Sequence, residues 1–347
     1  MKKMKRILAI ICITCIAFGM VGCSRLQISR EIATVNGRVI TVAEFNYYLE
    51  NVKQQMLTEA GTQDATAFWD AEIDGVKASE AAKTRALEEV LRVEMACIKA
   101  EEKGLSVPED QLKQIKNSVN LSDKEQQAMY DELKKTTGLT DDLMIDLLTK
   151  TSLAGVYVND IMANDPDALS PSEEELNATY NAEYVCVKHV LIGNTDEEAD
   201  TSNLSEEDAA KAAESYKLAQ QAKAEDVLSK AKAGSNFEAL VRAHGEDPGM
   251  ADSPNGYTFT KGAMVPEFEE ASFKLAVGEI SDLVESSYGW HIIKKYALPT
   301  SGDDYNQAME NVSSMLMEKK YNELLDSYKP EMTINIRQSV LDGIKVK

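Results

Sequence analysis

Residues 256–293 read GYTFTKGAMVPEFEEASFKLAVGEISDLVESSYGWHII, and the rest of the chain is interpreted outward from this stretch. Tyr257–Phe259 predicts a short strand. Pro266 favours the first position of a helix, because the N–H that it lacks would have no partner there. The apolar runs Ile280–Val284 and Trp290–Lys295 predict two further strands joined by a turn.

The segments upstream extend this stretch into a larger unit. A short helix opening at Ser170–Glu173 leads into an apolar strand at Tyr184–Ile192. An acidic insertion at 194–208 is expected to be a solvated loop, and a long helix over Glu206–Ala233 and a shorter one from Asn236 follow it. The order strand, two helices, strand, helix, strand, strand predicts an α+β unit with helices around a small, mostly antiparallel sheet.

Several short motifs in this unit occur in the order of a known family. They are VKHVLI, GEDPG, KGAMVPEFEEASF, GEIS and YGWHIIK, and together they span roughly residues 183–297, about a third of the chain. In these motifs the chain resembles the parvulin-type peptidyl-prolyl cis/trans isomerases. The resemblance implies a parvulin-like domain at residues 182–298 and rotation about X–Pro bonds as its reaction.

The resemblance also implies site residues: catalytic positions at His189, Asp247, His291 and Ser286, and a proline pocket at Met264, Phe268 and Phe259. Without the family motifs, the apolar members would be interpreted as core residues and Asp247 as a turn residue before Pro248. Gly256 departs from the family pattern, because relatives often have Leu there, and this departure alters one wall of the predicted pocket.

The predicted reaction sets modest chemical demands. Rotation about an X–Pro amide has an uncatalysed barrier of about 18–20 kcal/mol, and no covalent bond is broken. A site must hold the proline ring, exclude water from the amide and favour the twisted state over the planar one. The sequence therefore predicts no cofactor and no metal, and no cluster of residues has metal-ligand spacing.

The N-terminus has the pattern of a lipoprotein leader. Four cations in the first six residues precede the apolar run Ile7–Val21, which is short for a membrane span. Met20–Cys23 resembles a lipobox, which implies removal of residues 1–22 and attachment of lipid, palmitate included, to Cys23. The alternatives are an ordinary signal peptide and a short anchor. The lipoprotein interpretation predicts a protein held at the extracytoplasmic face of the cell membrane.

Two cysteines remain after Cys23, namely Cys97 and Cys186. One pair does not make a disulfide framework, although the sequence leaves open a single bridge between these two cysteines. Both lie in apolar patterns and are expected to be buried small hydrophobic residues. The formal charge of -21 disfavours nucleic acid as a partner, because such a chain repels phosphate backbones.

The remaining chain predicts a mainly helical domain in two parts, residues 23–181 and 299–347. Its opening, VNGRVITVAEF, contains an Asn36–Gly37 hairpin turn and resembles the chaperone domain of SurA- and PrsA-type proteins. After Pro299 a helical stripe is followed by Met332–Ile336, which alternates as a strand does. The isomerase unit is thus predicted to be inserted between the two parts of a helical domain.

These features together predict a PrsA-like, lipid-anchored foldase. It would isomerise X–Pro bonds in unfolded or partly folded exported polypeptides and act on them as a chaperone. The main alternative is a lipid-anchored holdase whose parvulin unit is catalytically inactive, and a weaker one is an envelope protein that binds a small ligand. The sequence leaves open a homodimer, the clients and the preferred residue before proline.

Overall fold

The computed structural model describes residues 29–62, 64–73, 75–193 and 205–346, which form two compact units. The first unit consists of the described residues up to Ser170 together with those from Met317 onward, and the second is Pro171–Leu316. The sequence placed the corresponding boundaries at 182 and 298. The predicted leader, Cys23 and most of the acidic insertion lie outside the described residues.

The first unit is mainly helical. Its helices are α1 (Val42–Glu59), α2 (Ala65–Asp70), α3 (Ala78–Glu102), α4 (Glu109–Asn117), α5 (Lys124–Thr137) and α6 (Asp141–Asn164), followed by a 3-10 turn at Pro166–Ala168. Thr41 and Thr140 cap α1 and α6, since their hydroxyls accept from the backbone N–H of Glu44 and Leu143.

A small sheet joins the start and the end of the first unit. Strands β1 (Glu31–Val35) and β2 (Arg38–Thr41) form an antiparallel hairpin, and β9 (Ile334–Ile336) pairs with the other edge of β1. Asn36 and Gly37 connect the hairpin with positive φ angles of 49° and 82°, which confirms the predicted turn. The short α13 (Gln338–Leu341) ends the described chain.

Several short elements lie between α1 and α3. The segment contains α2 and a two-stranded ribbon of β3 (Glu72–Ile73) and β4 (Val76–Lys77). The hydrophobic residues of so short a segment show no clear helical or strand period. Trp69 of α2 is buried in the core of the first unit and anchors the segment there.

The second unit is built on an antiparallel sheet with the order β6-β5-β8-β7. Its elements are α7 (Glu173–Glu183), β5 (Tyr184–Gly193), α8 (Glu206–Lys232), α9 (Phe237–His244), α10 (Pro248–Asp252), β6 (Tyr257–Thr260), α11 (Pro266–Lys274), β7 (Val284–Ser286) and β8 (Gly289–Tyr296). Helix α12 (Asp303–Ser327) then follows; its residues from Met317 onward, and the 3-10 turn at Lys329–Glu331, belong to the first unit. The predicted α+β class is confirmed.

The central sheet has an apolar cluster on each face. Val190, Ile192 and Ile292 pack with α8 and α9, whereas Val187 and Ile293 pack with β6 and α11. Alternation along β5 and β8 therefore buries both faces, which explains the nearly continuous apolar runs in these strands.

One predicted strand is displaced. The run Ile280–Val284 was expected to pair with the last strand, but β7 covers Val284–Ser286. Ile280 contributes only an isolated bridge to Lys294, and the backbone N–H of Ser281 bonds to Ile293. In the structure, β7 pairs with β8 directly before the turn, with Ser286 opposite Gly289. An apolar pattern shows which residues are buried, but it does not specify this register.

Two predictions concern cysteine and the membrane. Cys97 and Cys186 are buried and unpaired, which confirms the interpretation as small core residues. In the ranges that the structure describes, no helix is both long and apolar enough to cross a bilayer.

Candidate active site

Two histidines form the centre of the predicted site. His189 lies on β5 and His291 on the adjacent β8, where they pair with Ile293 and Leu191 respectively. This diagonal register places both imidazoles on one face of the sheet. Their Nδ1 atoms are 3.1 Å apart, and both side chains are almost fully buried.

Asp247 reaches this pair from a turn after α9. It caps the short α10, with its Oδ1 accepting from the backbone N–H of Gly249 at 2.9 Å. Its Oδ2 lies 2.7 Å from His189 Nε2 and also accepts from the Tyr257 hydroxyl at 2.8 Å. The carboxylate therefore has a hydrogen-bond partner on both oxygens.

Ser286 closes the other end of the network. Its Oγ lies 2.7 Å from His291 Nε2 and accepts from the backbone N–H of Tyr288 at 3.1 Å. The turn between β7 and β8 thereby fixes the hydroxyl beside the second imidazole. The structure brings together all four residues that the sequence proposed as catalytic.

The direction of each hydrogen bond in this network follows from the ionised Asp247 carboxylate, which can only accept. His189 must donate from Nε2 to Asp247, and in its neutral form its Nδ1 then accepts from His291 Nδ1–H. His291 Nε2 is left as an acceptor for the Ser286 hydroxyl. Every hydrogen bond from Ser286 to Asp247 thus points the same way, and each imidazole has one defined tautomer.

Burial sets the protonation states. Desolvation, with a smaller contribution from His189, lowers the pKa of His291 to about 4, although Asp247 opposes the shift. Desolvation also lowers the pKa of His189 against the opposing effect of Asp247. Burial opposes ionisation of Asp247 itself, but hydrogen bonds from Tyr257, His189 and Gly249 outweigh it and hold its pKa below the ordinary value. At neutral pH the site has two neutral imidazoles and one carboxylate.

Aromatic side chains pack against the two imidazoles. The Phe268 ring lies edge-on to His189 and His291, with centroid distances of 4.9 and 5.2 Å, and Phe259 lies 6.0 Å from Phe268. Phe268 and Phe259 are only 3% and 5% exposed, whereas Met264 is partly buried against the same cluster. The predicted pocket residues therefore adjoin the histidines, with Met264 the most accessible of the three.

A separate groove lies along α11. It has a volume of about 480 Å³ and is lined by Lys261, Pro266, Glu269, Glu270, Phe273 and Lys274. None of the predicted site residues lines it, so the hydrogen-bonded chain and not this groove is the candidate site. In the described part of the chain, no group of three or more His, Cys, Asp or Glu side chains is arranged to hold a metal.

The sequence interpretation missed Tyr257. It was assigned only to a strand, yet its hydroxyl bonds to Asp247 and its ring lies 5.9 Å from that of His189. A signal was present next to Tyr257, in the departure from the family pattern at Gly256. A hydrogen bond from the phenol to a residue ten positions earlier, however, could be found only once the geometry of β6 was known.

Comparison with known proteins gives two family matches. The PPIC-type PPIASE domain matches residues 175–297. Residues 175–297 belong to the parvulin-type peptidyl-prolyl isomerases. The SurA-like N-terminal domain matches residues 1–146, so the chain combines a parvulin domain with a SurA-like one.

Two curated relatives of the chain are named "Foldase protein PrsA". The one from Caldanaerobacter subterraneus subsp. tengcongensis is 25% identical over 96% of this chain and 95% of its own length. The one from Halalkalibacterium halodurans is 36% identical over 35% of this chain and 37% of its own length. The predicted family and the isomerase class are confirmed.

Two solved structures are also similar. The crystal structure of peptidylprolyl isomerase (PrsA) from Bacillus cereus is 19% identical, with a TM-score of 0.29, and covers 92% of this chain and 93% of its own. The parvulin of Nitrosopumilus maritimus is 30% identical, with a TM-score of 0.23, and covers 33% of this chain and 97% of its own.

Proposed function

We propose that the parvulin domain isomerises X–Pro bonds through the network of Asp247, His189, His291 and Ser286. Met264, Phe268 and Phe259 would hold the proline ring. One observation supports this best: an ionised carboxylate is held by hydrogen bonds on both of its oxygens beside neutral, buried imidazoles and an aromatic cluster. Such a site binds an apolar ring next to a fixed negative charge.

The planar amide has charge separation, with negative charge on oxygen and positive charge on nitrogen, because its C–N bond has partial double-bond character. A carboxylate near the carbonyl oxygen destabilises this form, while the twisted state has less charge separation. Asp247 would therefore lower the barrier to rotation without any proton transfer. The histidines would orient the carboxylate, and the aromatic cluster would reduce the local dielectric constant and strengthen the effect.

The clients that we propose are unfolded exported polypeptides, and the location is the outer face of the cytoplasmic membrane. A basic and apolar leader followed by the Met20–Cys23 pattern supports export with a lipid on Cys23. The SurA-like domain would bind client segments beside the isomerase. Incorporation of labelled palmitate into the wild-type protein in cells, and its loss in Cys23→Ser, tests the anchor.

The direct test of catalysis is NMR exchange on a series of short X–Pro peptides with the purified full chain. We expect acceleration by the wild-type protein and a loss of about five- to 150-fold in Asp247→Ala, because one fixed charge near a reacting group contributes on the order of 1–3 kcal/mol. Asp252→Ala, a nearby exposed carboxylate, is the matched control and should retain the rate.

A holdase with an inactive parvulin domain is the second candidate. The burial of Phe268 and Phe259 favours it, since nearly closed aromatic side chains give a proline ring little access. Gly256 also lacks the branched side chain, often Leu in the family, that would form one wall of the predicted proline pocket. No acceleration of any peptide by a folded protein that still suppresses client aggregation would establish the holdase and reject the isomerase site.

A further inference from the structure

Tyr257 lies in the proposed site, although the family resemblance assigns it no role. It is the first residue of β6, where it pairs with Val187 of the central strand. Its hydroxyl donates to Asp247 Oδ2 at 2.8 Å, and its ring lies 5.9 Å from the ring of His189. The side chain is partly buried, so one part of the phenol packs in the cluster and another part remains accessible.

We propose that Tyr257 is a positioning residue for the isomerase, which fixes the orientation of the Asp247 carboxylate and keeps it ionised. This inference rests on the proposed function, because it assigns a partner to the group that we placed beside the substrate amide. Tyr257 would act through Asp247 and would not itself act on the amide.

The first support is the number of donors on the carboxylate. Gly249 N–H bonds to Oδ1, and His189 and Tyr257 both converge on Oδ2. Two donors on one oxygen, from different elements, fix the plane of the carboxylate more firmly than one. They also stabilise the charged form of Asp247 against the desolvation of the site.

The second support is the backbone around the phenol. A Cβ at Gly249 would lie 2.0 Å from the Tyr257 hydroxyl oxygen, so any larger residue there would displace the hydroxyl. Gly256, with φ of +97°, would place a Cβ 2.6 Å from the carbonyl oxygen of Val187. Glycine at 249 lets α10 lie against the phenol, and glycine at 256 lets the chain that leads into β6 lie close to β5.

The charged and titratable groups near this contact are few. His189 and His291 face Asp247 from the sheet, and Asp252 of α10 is the further acidic group that acts on the phenol. The neighbouring Glu246 carboxylate instead accepts from the backbone N–H of Gly193 at 2.7 Å. Burial opposes the ionisation of Asp247, and the groups that favour it are Tyr257, His189 and Gly249.

The experiment compares the wild-type full chain with Tyr257→Phe, which removes only the hydroxyl. The pKa of Asp247 is read from its carboxyl ¹³C shift without substrate, and the X–Pro exchange rate is measured over the same pH range. We expect the Asp247 titration to move up by about one unit, as for loss of one hydrogen bond to a carboxylate. The acid limb of the rate should move with it, with a several-fold lower rate at neutral pH.

Two further variants make the test specific. Tyr216→Phe removes a hydroxyl from a half-buried tyrosine on α8 that takes no part in the hydrogen-bonded chain, and it should change neither the Asp247 titration nor the rate. Gly249→Ala should raise the Asp247 pKa as Tyr257→Phe does, and it should have less effect when Tyr257 is already Phe, because the clash involves the hydroxyl.

An unchanged Asp247 pKa in Tyr257→Phe would overturn the inference. The wild-type protein gives an independent check, because burial and the hydrogen bond to Asp247 raise the pKa of Tyr257, so its phenol should stay protonated above the ordinary tyrosine pKa of about 10. Ionisation of the Tyr257 phenol at the ordinary value would equally contradict the inference. If the wild-type protein does not accelerate exchange, the proposed function fails, while the titrations still decide the role of Tyr257.

Discussion

At the scale of single residues, His291 is expected to make the stability of the second unit depend on pH. Its ordinary pKa of 6.5 falls to about 4 in the folded protein, chiefly through burial. Because the folded pKa is depressed, the stabilisation is complete above 6.5 and is lost as the pH falls from 6.5 toward 4. The free energy of unfolding should be about 1–2 kcal/mol lower at pH 5 than at pH 7 from this group.

Urea unfolding followed by Trp290 fluorescence measures this effect. The chain has two tryptophans, so a Trp69→Phe background leaves Trp290 as the reporter for the second unit. His291→Gln, which does not titrate in this range, should flatten the difference between pH 5 and pH 7. An equally steep dependence in that variant would assign the loss of stability to other groups.

The sequence predicted the site residues unevenly, for physical reasons. His189, Asp247, His291 and Ser286 could be proposed because the family motifs name them, and the structure joins them in one chain of hydrogen bonds. Tyr257 was missed because its contact depends on the close approach of α10 and β6, which no local pattern encodes.

At the scale of elements, α7 shows how a helix start stabilises the unit that follows it. The hydroxyl of Ser172 accepts from the backbone N–H of Glu175, and the Glu175 side chain accepts from the backbone N–H of Ser172, which is a capping box. Ser172→Ala should lower the free energy of unfolding reported by Trp290 by about 1 kcal/mol.

Ser170→Ala is the matched control for this prediction, because it makes the same change before the helix begins. It should leave the urea midpoint within error of the wild-type protein. A Ser172→Ala midpoint that also stayed unchanged would mean that α7 does not contribute to the cooperative unfolding of the second unit.

Most elements were predictable where two signals coincided. Pro266 and the apolar spacing after it gave α11 its start, and Asn36–Gly37 gave the hairpin its turn. Strand β7 was placed too early, because the apolar residues after Gly278 serve packing while the register is fixed by the Gly289 turn. Composition identifies buried segments more readily than it identifies which of them pair.

At the scale of the whole molecule, the two units have separate apolar cores, and the core of the first unit contains buried ion pairs. The core of the first unit encloses Lys150, whose Nζ lies 2.6 Å from Glu94 Oε1 and 3.0 Å from Glu44 Oε1. Glu94 is fully buried, and the three residues come from α6, α3 and α1. One ammonium therefore connects three helices, an arrangement that apolar periodicity did not predict.

Lys150→Met tests this connection, because it leaves the Glu94 carboxylate buried without its closest cation. Loss of one partner of a buried ion pair costs about 3–5 kcal/mol. We expect the urea midpoint reported by Trp69, in a Trp290→Phe background, to fall accordingly. The midpoint reported by Trp290, in a Trp69→Phe background, should not change, since the charged group lies within the first core.

The double variant Lys150→Met with Glu94→Gln separates charge from packing. After Lys150→Met, Glu94 keeps, among the described residues, only the more distant Arg38, whose Nη1 lies 3.7 Å from Glu94 Oε2. Removing the Glu94 charge should restore much of the stability that Lys150→Met loses, because an amide is far less costly to bury than a carboxylate. If the double variant were as unstable as Lys150→Met, packing of the lysine stem would be the main contribution. If the Trp290 transition moved together with the Trp69 transition, the two cores would unfold as one cooperative unit.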